Sequence, residues 1–184
     1  MARTKFDVKP DPKLDPQIGL LLSMLDEGTW EWRDELEECG KISTDMLQWQ
    51  PVHQGHSIGA VILHIIDVEA FWLHEMAAGQ PLSAKDAKTF MSEETQQYAG
   101  RWPVPHKKPL KWYFEQHDRI RKKTHQLVKQ INDPLHVCKR PKTATRPQRT
   151  FTLRWIMHHV ITHEAYHAGQ AVMLAMQYAR KKQR

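Results

Sequence analysis

At 184 residues, 40% of them hydrophobic, the chain is the right length for one domain with its own apolar core and is short for two. Its two cysteines, Cys39 and Cys138, are too few for a secreted disulfide framework, and the charged, proline-bearing stretch from Met1 to Pro16 has no apolar signal core, so a cytoplasmic location is expected. No apolar run approaches the roughly 20 residues of a membrane span; the nearest, Ser57 to Ile66, already contains His64.

A formal charge of +6 raises nucleic acid as a partner. The basic residues are scattered, however, over Lys107, Lys108, Lys111, Arg121 to Lys123, Lys139 to Arg149 and the tail Arg180 to Arg184, without interleaved aromatics. They read as solvated helix faces and a frayed basic end, and no nucleic-acid role is expected.

Helical periodicity recurs and strand signals are scarce, which predicts an all-α domain. Beyond an N-terminal extension, residues 1–14, the first helix is predicted from Pro16 to about Cys39. Asp15 is its N-cap, Pro16 its first residue, and Ile18, Leu21, Leu22 and Leu25 share one side. Gly40 ends it. A connection with Pro51 and Gly55 leads to a second helix from Ser57, a capping residue, to Ala78, with Gly79 as terminator.

Residues 79–108 are too many for an ordinary loop and are expected to include a short helix around Ala84 to Tyr98, broken before Pro103 and Pro105. The third helix runs from Pro109 through Trp112, Ile120 and Leu127 to Ile131, where Asn132-Asp133-Pro134 stops it. A basic, proline-containing loop follows up to Thr150, then a fourth helix from Phe151 to Ala179 and a basic tail, residues 180–184. Four long helices joined by long connections predict a single-domain bundle over residues 1–184 with crossover topology.

The chemistry concentrates in His163-Glu164-Ala165-Tyr166-His167. Two imidazoles four residues apart project from one helix face and can reach one divalent cation. The stripe Ile156, Val160, His163, His167, Ala171, Leu174 turns them toward a bundle core. His159 extends the series, but eight residues at about 1.5 Å rise separate it from His167 by roughly 12 Å, too far to share an ion. The third ligand is therefore sought on another helix, and the stripe Val61, His64, Val68, Phe71 selects His64.

His53 and His56 lie in the preceding loop, His74 is rotated away, and His117, His125 and His136 sit among polar neighbours and read as surface histidines. Asp67 is a candidate to orient a ligand or an exposed carboxylate. The pentapeptide also fits the short zinc-protease pattern, with Glu164 as base. The extended pattern would need glycine and histidine where this chain has Gln170 and Met173, so a protease is not expected. Positions 164 and 166 rotate away from the ligand face, toward the surface or a dimer interface.

The segment from Thr152 to Gln170, together with His56-Ser-Ile-Gly-Ala-Val-Ile-Leu-His64, Glu69-Ala-Phe-Trp72 and Leu47-Gln-Trp-Gln-Pro51, resembles the DinB/YfiT superfamily of metalloproteins. The resemblance covers about residues 16 to 178. It implies a four-helix bundle of up-up-down-down type, a homodimer, and a three-histidine site for nickel, zinc or a similar ion, with the ligands falling on His64, His163 and His167. Many members carry arginine where this chain has Ala168. Some resemble transferases that use a low-molecular-weight thiol against an electrophilic small molecule. That makes a metal-dependent thiol S-transferase the leading expectation, beside a non-catalytic metal-binding dimer or a metal-dependent hydrolase.

Overall fold

The computed structural model describes residues 7–142 and 147–181. Helix α1, Pro16–Glu38, starts where the Asp15 carboxylate accepts hydrogen bonds from the Gln17 and Ile18 amides at 2.9 and 3.4 Å. A short α2, Thr44–Gln48, is capped by Ser43 within the connection. Helix α3, Ile58–Glu69, is capped by Ser57 and continues without interruption as a π-helical segment, Ala70–Ala77, before Gly79 closes it with φ of +65°. The expected second helix is thus present but changes pitch at Ala70. The wider turn sets the phase of the residues beyond it.

Helix α4, Ala84–Phe90, ends at Met91 in the left-handed region, short of the expected Tyr98. Residues 97–99 form a separate 3-10 turn inside a small bridge between Gln96 and Arg101. Helix α5, Leu110–Ile131, stops at Asn132 with φ of +39°. The segment expected as a plain basic loop contains an antiparallel hairpin, β1 Val137–Arg140 and β2 Arg149–Thr152, in which Cys138 faces Phe151. Phe151 therefore belongs to a strand, and α6 runs Leu153–Lys181. Two four-residue strands with Lys139, Arg140 and Arg149 among them carry too little apolar alternation to read as strands.

The expected all-α bundle is borne out, with only this small sheet beside the helices. Contacts fix the helix directions. Gln17 meets Arg154 and Thr29 meets Glu164, so α1 and α6 run parallel. Glu69 meets Arg121 and His74 meets Thr124, so α3 and α5 run parallel. Asp15 meets Asn132 and Arg33 meets Asp118, which sets α1 against α5.

The rings of His64 and Trp72 meet those of His167 and Trp155, which sets α3 against α6. The chain order is therefore up-down-down-up, and the up-up-down-down order drawn from the resemblance is corrected. Because α3 and α5 are parallel, residues 79–108 must return the length of the bundle, roughly 30 Å for a helix of this size. This is the physical reason for their number.

A polar network crosses the core and touches every long helix. Arg121 on α5 donates to Glu69 on α3 (Nε to Oε1, 2.9 Å; Nη2 to Oε2, 3.0 Å), to Glu164 on α6 (2.9 Å), and to the Leu25 carbonyl (3.1 Å) and Thr29 hydroxyl (2.9 Å) on α1. Thr29 and the Trp32 indole donate to the other Glu164 oxygen at 2.5 and 2.7 Å. The Thr124 hydroxyl donates to Glu69 at 2.6 Å.

All of these side chains are buried. Burial alone would push the Glu69 carboxyl up, but the Arg121 charge and the bonds from His117 and Arg121 hold it well below the usual carboxylate range. Arg121, expected on a solvated face, and His117 and His74, read as surface histidines, are therefore core residues.

Breaking such a pair from one side leaves uncompensated charge in the interior. Arg121→Met should lower the unfolding free energy by about 3–5 kcal/mol in urea titrations; a loss below about 1 kcal/mol would show that the network carries little weight.

Stability should also fall in mild acid. Burial depresses His74 to about 4 from 6.5, against the opposing pull of Glu69. Between those values the unfolded chain takes up a proton that the folded chain refuses, so stability drops as pH falls from about 6.5 to about 4. For this one group the loss is up to about 3 kcal/mol. A His74→Gln variant should show a shallower decline over the same window.

Candidate metal centre

His64 lies on the inner face of α3, in a run that is apolar from Ile58 to Ile66 apart from itself. His163 and His167 occupy successive turns of α6, flanked by buried Val160 and Ala171. Antiparallel packing of the two helices brings the three rings together. Their centroids are 5.0 Å apart for His64 and His163, 4.8 Å for His64 and His167, and 4.4 Å for His163 and His167. One nitrogen from each lies within 4.8 Å of the others. Two bonds of about 2.1 Å to a shared ion span at most about 4.2 Å, so small ring rotations close the set. The three residues selected from the sequence do converge.

The site disfavours protons. Burial, then the charge of His167, pushes His64 down to about 4, and burial with His167 and His64 beside it pushes His163 down to about 2. Burial also lowers His167, against the pull of Gln170. At neutral pH the cluster is three uncharged imidazoles, the form that binds metal.

Two further features fit an ion. The Nδ1 of His167 is 2.8 Å from the Gln170 side-chain oxygen; donation to that oxygen leaves Nε2 with its lone pair free. The buried Nε2 of His64 meets no hydrogen-bond partner among the described residues. His167 and His64 are buried while His163 is only half-buried, so solvent reaches the cluster on the His163 side.

His159 stays outside the cluster, as its separation along the helix requires: its ring stacks on Trp155 at 5.1 Å and lies 6.0 Å from His163. His53 is exposed. Asp67 neither orients a ligand nor stands free in solvent, because the Ser92 hydroxyl donates to it at 2.5 Å. Tyr166 is 66% exposed, as expected. Glu164 is not: expected at the surface or an interface, it is buried in the Arg121 network, so the protease-like role for it is excluded by its partners.

Two residues at the site were not selected from the sequence, where His56 is set aside as a loop residue and Trp102 reads as core packing. The Trp102 ring, 3% exposed, packs 5.2 Å from His64 and 6.1 Å from His167, and the half-buried His56 lies 4.3 Å from it. Both come from connections, where no periodicity marks an inward residue.

A second group of possible ligands, Glu69, His117 and Glu164, is already bridged by Arg121, whose guanidinium neutralises the carboxylates an ion would need. A cavity of about 230 Å³ between α1 and α6 borders this network, next to Trp32, Glu164 and the buried Ala168.

Comparison with known proteins agrees with the site. No curated protein matches the chain. The family model of mycothiol S-transferase matches residues 21–178, a span that runs from within α1 to within α6 and includes every residue of the imidazole cluster. With that match, and with an all-helical bundle that gathers His64, His163 and His167 in its core, the chain belongs to the mycothiol S-transferase family, which is DinB/YfiT-like.

Proposed function

We propose that this protein is a metal-dependent thiol S-transferase that holds its ion on His64, His163 and His167 and joins a low-molecular-weight thiol to an electrophilic small molecule. The carrying observation is the convergence of three imidazoles, with the buried His64 Nε2 meeting no hydrogen-bond partner among the described residues. The family match supplies the class of reaction, and mycothiol is the thiol it favours. Imidazole-only ligation suits nickel and zinc, leaves the charge of the ion uncancelled, and leaves a coordination position for substrate. The ion supplies Lewis acidity that lets a thiol give up its proton at neutral pH.

The chain's own residues do the rest. Gln170 fixes the ring of His167, and α3 and α6 fix the spacing of the three nitrogens. Trp102 closes the site beside His64 and His167, while the half-buried His163 marks the side from which small molecules enter. In the reaction the thiol sulfur forms a bond to the electrophilic carbon, its proton passes to solvent, and the leaving group departs with the bonding electron pair. A homodimer located in the cytoplasm completes the proposal. No described helix is long and apolar enough to cross a membrane.

His64→Ala should lower bound nickel or zinc from about one ion per chain to near none by elemental analysis, and abolish conjugation of thiol to a generic electrophile. Undiminished turnover by that variant would refute the assignment. Gln170→Leu should weaken metal affinity by about 10–100-fold in a chelator competition while leaving the metal-free melting temperature unchanged. Equal affinities would mean that the His167 ring needs no support.

A further inference from the structure

Trp102 has a feature that the imidazole cluster alone does not explain. Its indole nitrogen can only donate, yet it is buried and meets no acceptor among the described residues. Such donors are rare in folded proteins because water is lost without replacement. The ring is not loosely placed. The Trp102 amide donates to the Gln54 carbonyl at 2.8 Å, and the Gln50 side chain donates to the Trp102 carbonyl at 3.1 Å, so the connection before α3 grips this residue from both sides.

The held ring packs against two of the three imidazoles, at 5.2 Å from His64 and 6.1 Å from His167. The second orphaned nitrogen of the neighbourhood, His64 Nε2, is on the nearer of these. A donor without an acceptor therefore stands beside an imidazole nitrogen without a partner. The two nitrogens do not satisfy each other, because neither meets a hydrogen-bond partner among the described residues. A cation would satisfy the imidazole, and an anion carried next to that cation would satisfy the indole.

We propose that the Trp102 indole N–H donates a hydrogen bond to the anionic atom of the molecule held at the three-imidazole cluster, which in thiol transfer is the substrate sulfur. Trp102 is then a substrate-binding residue rather than a core filler. A hydrogen bond to a charged acceptor is stronger than a neutral one and favours the thiolate over the thiol. The sulfur arm of this inference rests on the thiol-transfer reading; the anion arm rests only on the cluster holding a cation.

The experiment uses the full chain loaded with zinc and labelled with nitrogen-15 in tryptophan. The Trp102 indole resonance is identified by its absence from Trp102→Phe, and the protein is titrated separately with N-acetylcysteine and with azide. Both ligands are expected to shift that resonance saturably, and Trp102→Phe should bind each about tenfold more weakly at unchanged zinc content. A shift with azide but no binding of the thiol would support the donor and count against the thiol-transfer reading. Binding of the thiol with the Trp102 resonance unmoved, or no shift with either ligand, would overturn the proposal. If Trp102→Phe folds poorly, Trp102→Tyr identifies the resonance in its place, and the movement of that resonance on the unaltered chain still decides the matter.

Discussion

The bundle is organised around one guanidinium. Arg121 sits between the carboxylates of Glu69 and Glu164 in the interior, with a backbone carbonyl and a threonine hydroxyl taking its remaining protons. A buried charge is tolerated only where partners and hydrogen bonds replace its water, and here those partners come from α3, α6 and α1 in turn. Apolar faces slide and rotate with modest penalty, whereas a forked guanidinium accepts few arrangements. The network thus specifies which helix faces which, at which height, more narrowly than the surrounding leucines and isoleucines can.

That specificity bears on the imidazole cluster. His64 precedes Glu69 on α3, and His163 immediately precedes Glu164 on α6, so the two helices that carry the cluster are the same two that Arg121 ties together. The π-helical segment serves the same geometry. Starting directly after Glu69, it lets Trp72 reach the rings of Trp155 and His159 on α6 while His74 reaches Thr124 on α5. The two helices that carry the cluster are therefore pinned twice on the same side of it, first through Glu69 and Glu164 and then through Trp72 and Trp155.

Much of this was legible in the sequence, and the remainder was hidden for identifiable reasons. The long helices announced themselves through caps and apolar stripes, and the convergence of the three imidazoles through the four-residue spacing of His163 and His167 and the stripe that carries His64. Glu69, His117, Arg121 and Glu164 were hidden because each alone has the character of a surface residue, and their pairing between helices links positions 43 to 52 apart. One signal was available on α5. Tyr113, His117, Ile120, Arg121, Thr124, Leu127 and Val128 follow a single three/four series, so three polar residues lie on the face that the apolar ones bury. The helix directions and the hairpin were hidden differently, since connection lengths do not encode direction and the strands carry little apolar alternation.

Adjacency of His163 and Glu164 has a mechanical meaning. The two share one rigid stretch of backbone but point into different compartments, one toward the imidazoles and one toward the guanidinium. To widen or narrow the gap between His163 and His64, α6 would have to roll about its axis, and rolling would pull the carboxylate out of its socket. The aperture offered to an ion is therefore held from behind, by a clamp that never touches the ion. Under the proposed metal role, selection among cations of different radius becomes a property of the whole bundle as well as of the three imidazoles.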